Sequence, residues 1–214
     1  MVNRANGRVR LFRKDDDFLA FYNVLLQAHA RHSIRILGWC LMSNHWHFVV
    51  HPRRDDELSR FFGYLGLTHA TRWQVAHNAV GMGHVYQGRF RNFMIQENEH
   101  LLSVLRYVEQ NPLRAAIVDR AQDWHWSSLH ARLHGPEPIR DLLSDWPIDR
   151  PRNWVQLVNR PQTDAEVEAI QTAGRRGRPL GSNAWVAQVV SQYGLQSTLR
   201  PRGGQPGRNE HMSD

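Results

Sequence analysis

At 214 residues and 41% hydrophobic content, the chain is long enough for one well-filled core and a smaller appendage, and it contains no stretch near the roughly 18 apolar residues of a membrane span. Its polar N-terminus, MVNRANGRVRLFRKDDD, lacks a signal-peptide core, and its single cysteine, Cys40, excludes an intramolecular disulfide and a thiolate-built metal centre, which points to a reducing cytoplasm. The formal charge is +7, and six arginines stand between Glu168 and Glu210 without a carboxylate, so the C-terminal end suits a polyanion.

Residues 15–32, DDDFLAFYNVLLQAHARH, open on carboxylates that favour a helix N-terminus. Phe18, Phe21, Tyr22, Leu25 and Leu26 follow at three- and four-residue spacing, which predicts an amphipathic helix. IRILGWCLM (34–42) and HWHFVVH (45–51) are short apolar runs separated by Ser43 and Asn44, the pattern of two strands joined by a tight turn. Leu58, Phe61, Phe62, Leu65 and Leu67 restore helical spacing over 55–77, and NAVGMGH reads as a loop. RFRNFMI (89–95) alternates like a half-exposed strand, and ENEHLLSVLRYVEQN (97–111) predicts a helix that Asn111-Pro112 ends or bends.

This order fits an α+β sandwich, an antiparallel sheet with helices on one face, provided a further strand precedes the first helix. Residues 1–13 are a poor candidate for that strand. Past residue 135, GPEPIRD, DWPIDRPRNW and NRPQTD are rich in proline and read as a linker, residues 136–163, wrapped over a domain of residues 1–135. Residues 164–214 form a basic C-terminal extension, with short helices expected at 164–174 and 182–193 and disorder in RPRGGQPGRNEHMSD.

Strand parity puts His45, His47, Val49 and His51 on one face and Trp46, Phe48 and Val50 on the other, the core face. Two neutral imidazoles about 7 Å apart along a strand converge on one divalent cation if a third donor arrives from elsewhere; alone, the pair is a weak signal that reads more readily as exposed histidines on a sheet face. On the helix ending at Asn111, Leu101, Leu102, Val104, Leu105 and Val108 make an apolar arc. His100, Ser103, Tyr107 and Asn111 form the polar stripe beside it, with Tyr107 and Asn111 one turn apart. The core does not demand that tyrosine, and an amide oxygen can ligate a hard cation. Tyr22, Tyr64, Tyr86 and Tyr193 read as ordinary boundary residues.

In this order and at these intervals, GWCLMSNHWHFVVHP, GHVYQGRF, LRYVEQNPLRAAIV and WHWSSL resemble the transposases that carry one catalytic tyrosine and a His-hydrophobic-His metal motif. GRRGRPLG with the short helix after it resembles specifically the REP-associated tyrosine transposases, relatives of the IS200-type insertion-sequence enzymes. The resemblance covers residues 3–134 and, more loosely, 155–208. It implies a ferredoxin-like sandwich in which His45 and His47 are paired metal ligands, Tyr107 is the nucleophile and Asn111 completes the site for Mg²⁺ or Mn²⁺. It further implies a single-stranded DNA hairpin, the REP palindrome, as substrate, a 5′-phosphotyrosine intermediate, no membrane, and a monomer acting in cis rather than the helix-exchanged dimer of the insertion-sequence cousins. His51 receives no role.

Arg89 and Arg91 alternate on one strand face and could hold backbone phosphates or stand as solvated edge residues. Arg175, Arg176 and Arg178, in a short Arg-Gly-Arg-Pro context, read as DNA contacts of undefined geometry. The chain departs from the family at its start: relatives have a strand before the NRANGR-like segment, and only Met1 and Val2 precede it here, so either the true start lies upstream or the edge strand is missing, which would expose a sheet edge. Two other readings stand beside the strand transferase. One is a hairpin-binding protein that does not cut. The other is a hydrolase using His45, His47 and His51 with activated water, for which the sequence offers no HExxH or comparable carboxylate base.

Overall fold

Trp39, Leu41, Trp46 and Phe48 are buried on one face of an antiparallel hairpin, and the chain is layered around that hairpin. The computed structural model describes residues 1–200; the end of the segment read as disordered, with Arg202 and Arg208, lies outside the described residues. Strands β1 (Val2–Arg4), β2 (Arg35–Met42) and β3 (His45–His51) form an antiparallel sheet in the order β1-β3-β2, with Val2 opposite His47 and Arg4 opposite His45. On the free side of β1, Val2 and Arg91 exchange backbone hydrogen bonds of 2.9 and 2.8 Å. The spatial order is therefore Arg91 segment, β1, β3, β2, that of a split βαβ sandwich.

Two expectations are corrected by the sheet. The strand ahead of the first helix is present in Val2–Arg4, because a three-residue strand paired on both sides needs no hydrophobic alternation of its own to be held. The segment 89–95 in turn pairs only at Arg91, with Val2, and at Ile95, with Leu180, so the strand anticipated there shrinks to two bridges.

Helices α1 (Asp15–Arg31) and α2 (Glu57–Ala76) cover the Trp46 face, where Phe21, Phe61 and Phe62 are buried and the rings of Trp46 and Phe62 stack at 5.6 Å. Helix α3 (Glu99–Arg114) covers the other face, packing Leu105 and Val108 with Leu37, Cys40 and Val49. The sandwich is mixed α/β as anticipated, but helices lie on both sides of the sheet rather than one. Every residue of β2 except Arg35 is buried, and a strand buried on both faces requires a layer on each.

Pro112 does not end α3, which runs on to Arg114. Proline lacks the N–H that would reach the Val108 carbonyl; the Asn111 side-chain Nδ2 donates there instead at 3.3 Å, and to the Tyr107 carbonyl at 2.9 Å. Beyond α3, α4 (Ser128–His134), α5 (Glu137–Arg140) and α6 (Trp154–Asn159) bury Leu129, Ile139, Trp154 and Val158. Glu109, fully buried on α3, ties these together: its carboxylate accepts from Ser128 Oγ at 2.5 Å and from Trp154 Nε1 at 2.7 Å. Burial raises its pKa, against the pull of those two bonds. Helices α7 (Asp164–Arg176) and α8 (Asn183–Tyr193) fall where short helices were expected, at 164–174 and 182–193.

The approach of α3 to β2 depends on Gly38, where a Cβ would stand 2.9 Å from Leu105 Cδ2 and 3.1 Å from Ser128 Oγ. Gly38→Ala should destabilise the fold by about 1–3 kcal/mol through overpacking, read as a lowered urea midpoint. An unchanged midpoint would show that α3 and Ser128 do not confine this position.

Candidate active site on the tyrosine helix

His45 and His47 project from β3 toward α3, with ring centroids 4.9 Å apart and planes nearly perpendicular. His45 Nδ1 lies 2.7 Å from the Asn44 side-chain oxygen. An amide oxygen only accepts, so this contact holds the proton on Nδ1 and leaves Nε2 with its lone pair outward, the arrangement seen in metal-binding imidazoles. Burial pushes the pKa of His45 down to about 4, and Arg4, opposite it on β1, pushes the same way. His47 is displaced well below its ordinary value by burial first, then by the positive groups around it: His45, the N-terminal amine, Arg114 and Arg4. Both rings are therefore neutral at pH 7 and have lone pairs to offer.

Tyr107 arrives from α3 and sets its ring edge to face with His47 at 6.1 Å between centroids. Tyr107 and Asn111, one helical turn apart, are both buried. With Nδ2 turned back to the helix carbonyls, the Asn111 Oδ1 is left to accept from the Arg114 guanidinium at 3.3 Å. The same guanidinium lies over the Tyr107 ring, its carbon 4.1 Å from the centroid.

A cleft of about 500 Å³ opens at this point, lined by His47, Tyr107, Arg4, Arg89, Arg91 and Arg175, with Gln87 and Gln171 among its other polar walls. Its base is β1 and β3, and the facing wall is the last part of α7. Of the arginines singled out in the sequence, Arg89, Arg91 and Arg175 thus share a cleft with His47 and Tyr107. Arg178 lines a different and larger hollow, about 700 Å³, with Glu99, His100 and Glu166. That hollow lies away from the paired histidines and its carboxylates oppose an anion. Arg176 is exposed at the end of α7 and lines neither space. One residue on a helix is a turn of about 100°, which separates it from Arg175.

His51 has both nitrogens engaged elsewhere. Its Nδ1 accepts from Arg35, its partner across the hairpin, at 2.7 Å, and its Nε2 donates to Glu97 at 2.7 Å. Among the described residues no group of three or more His, Cys, Asp or Glu side chains is placed to hold a metal ion. Three residues of the site escaped sequence reading: Asn44, Arg4 and Arg114. Asn44 directly precedes the histidine pair and Arg114 lies three residues after Asn111, so turn composition and helical period were available signals. For Arg4 there was none, since only strand pairing brings it to His45.

The family model described as "Transposase IS200 like" matches residues 1–111, a span that includes His45, His47, Tyr107 and Asn111. A protein of Haemophilus influenzae assigned as a REP-associated tyrosine transposase is 24% identical over 119 residues, 51% of this chain and 67% of that protein. A solved structure of a REP-associated tyrosine transposase bound to a REP hairpin is matched over 69% of this chain and 82% of that one, at 21% identity and a TM-score of 0.46.

The half-buried imidazole of His45 generates a pH dependence. The unfolded chain takes up a proton near pH 6.5, whereas the folded chain refuses it until about 4. The stability contributed by neutral His45 is complete above about 6.5 and is lost as pH falls toward 4. A titration of the His45 ring protons by NMR should show a midpoint near 4; a midpoint near 6.5 would mean that the ring is solvated.

Proposed function

The chain belongs to the IS200-like transposases, and on that premise we propose that it is a metal-assisted single-stranded DNA nuclease and strand transferase that acts on REP-type hairpins through a 5′-phosphotyrosine link at Tyr107. The observation that carries this reading is the convergence on one cleft of a tyrosine, a neutral imidazole and four arginines. The hairpin as substrate rests on the motif resemblance of GRRGRPLG and of the four ordered segments.

The residues fit a divalent cation. His45 Nε2 is left free by the Asn44 contact, His47 is neutral, and Asn111 Oδ1 is an amide oxygen, a mixed nitrogen and oxygen set that Mn²⁺ would accept and that Mg²⁺ would take with water completing its shell. When bound, the cation would polarise the scissile phosphate and offset the charge that builds on its oxygens. The rest falls to the chain itself. Arg4, Arg89, Arg91 and Arg175 hold the phosphates that flank the reacting one. Tyr107 Oη attacks phosphorus, the bond from phosphorus to the 3′ oxygen breaks, and that oxygen leaves as a hydroxyl while the phenol gives up its proton. The phosphodiester energy is retained in the phosphotyrosine, so a second 3′-hydroxyl reverses the step without a nucleotide cofactor.

In this reading residues 1–135 are the catalytic unit, 136–163 join it to the C-terminal extension, and 164–214 supply DNA contacts, of which Arg175 reaches the cleft. The protein works as a monomer beside the nucleoid in the cytoplasm. No helix among the described residues is long and apolar enough to cross a membrane. A second reading, hairpin binding without cleavage, is favoured by one observation: Arg114 covers the Tyr107 ring and occupies Asn111 Oδ1.

One experiment separates the two. With a labelled single-stranded REP-type hairpin and Mn²⁺, the chain should form a protein–DNA adduct that survives denaturation, and Tyr107→Phe should bind the hairpin without forming it. Binding with no adduct in the unaltered chain supports the second reading, and cleavage that persists in Tyr107→Phe would sink the tyrosine mechanism. Arg89→Ala and Arg91→Ala should each weaken hairpin binding and reduce the slope of log K against log salt by about 0.7 to 1. An unchanged slope would place these arginines off the backbone.

A further inference from the structure

The Asn111 amide has only one atom left to offer a ligand. Its nitrogen is held by the Tyr107 and Val108 carbonyls, the second of which Pro112 leaves without its usual partner, so the amide cannot turn over without losing both bonds. Its oxygen is the end left over, and a guanidinium already sits on it. Arginine has donors only and is always charged. A cation seated on the same oxygen would meet that positive charge within a few ångströms.

We propose that Arg114 is the positioning residue of this site, a built-in cationic stand-in that clamps Tyr107 and Asn111 together and competes with the divalent metal for Asn111 Oδ1. This inference rests on the reading of the cleft as a metal site. The contacts give the clamp its shape: one planar group touches the Tyr107 ring face at 4.1 Å and the Asn111 oxygen at 3.3 Å, so a single side chain registers the nucleophile against the ligand one turn on. Arg114 is itself exposed, whereas the two residues it touches are buried, so it leaves toward solvent without opening the core. Metal entry and release of the clamp on the Tyr107 ring are thereby one event.

The competition has a sign that a scaffolding role does not share. If Arg114 merely supported α3, removing it would loosen the site and weaken metal binding. If it competes, removing its charge tightens metal binding. Mn²⁺ binding to the full chain without DNA can be followed by loss of the free-ion electron paramagnetic resonance signal, independently of any cleavage. Arg114→Gln and Arg114→Met, which remove the charge with and without a hydrogen-bond donor, should each bind Mn²⁺ about fivefold more tightly than the unaltered chain, the order expected for lifting one unit charge near a divalent ion. Arg114→Lys, which keeps the charge but loses the planar stack, should stay near the unaltered affinity while forming adduct more slowly. His45→Ala reports whether the Mn²⁺ is at this site. Equal or weaker binding in both neutral variants, with binding in the unaltered chain that depends on His45, would overturn the competition and leave the metal-site reading standing. No His45-dependent binding in any of these proteins would end the metal-site reading and this inference with it.

Discussion

The alternation of side chains along β3 is the constraint on which the rest of this structure depends. Trp46 and Phe48 fill the layer beneath α1 and α2, while His45 and His47, the intervening residues, are turned to the opposite layer beneath α3. A shift of register by one residue would exchange the two sets and lose the aromatic core and the histidine pair together. Large apolar surface on one face thus holds a pair of imidazoles in a fixed place on the other. Their surroundings then do the chemical tuning: desolvation and nearby positive groups keep both rings unprotonated at pH 7.

A site made of one strand and one helix is only as accurate as the contact between them. That contact is built from apolar packing around Leu105 and Val108, a glycine at the closest approach, and a buried carboxylate. Glu109 is two residues from both Tyr107 and Asn111 and points away from the cleft, to Ser128 and Trp154. The helix therefore has one face on the candidate site and another that is anchored by a hydrogen-bonded carboxylate deep in the protein. Leaving either donor absent would strand a buried acceptor, which is costly, so the anchor also opposes rotation of the helix about its axis.

Pro112 connects backbone chemistry to the site in a similar way. Within the last turn of α3 it removes one donor, and the neighbouring asparagine makes up the loss with its side chain. That repair dictates which end of the Asn111 amide is left free of the helix carbonyls. The Asn-Pro pair that reads in sequence as a helix terminator is, in the fold, what orients a candidate ligand.

Much of this was legible from residue order. Period-2 alternation placed His45 and His47 on the non-core face, helical period put Tyr107 and Asn111 on one stripe, and spacing located α1, α2, α3, α7 and α8. These are local properties, set by backbone geometry over a few residues, and the four ordered motifs added the family. What the sequence could not determine were the features made by pairing across distance. Val2–Arg4 has no pattern that marks it as a strand, and it becomes one because β3 and Arg91 flank it. The 89–95 run has the pattern but too little partner. Helices cover both sheet faces because β2 is apolar on both, a fact visible in its residues but decisive only once α3 lands there. His51 found its occupation in Arg35 and Glu97, and of three nearby arginines on and after α7 only Arg175 faces the cleft, because orientation on a packed helix is a property of the tertiary structure rather than of charge count.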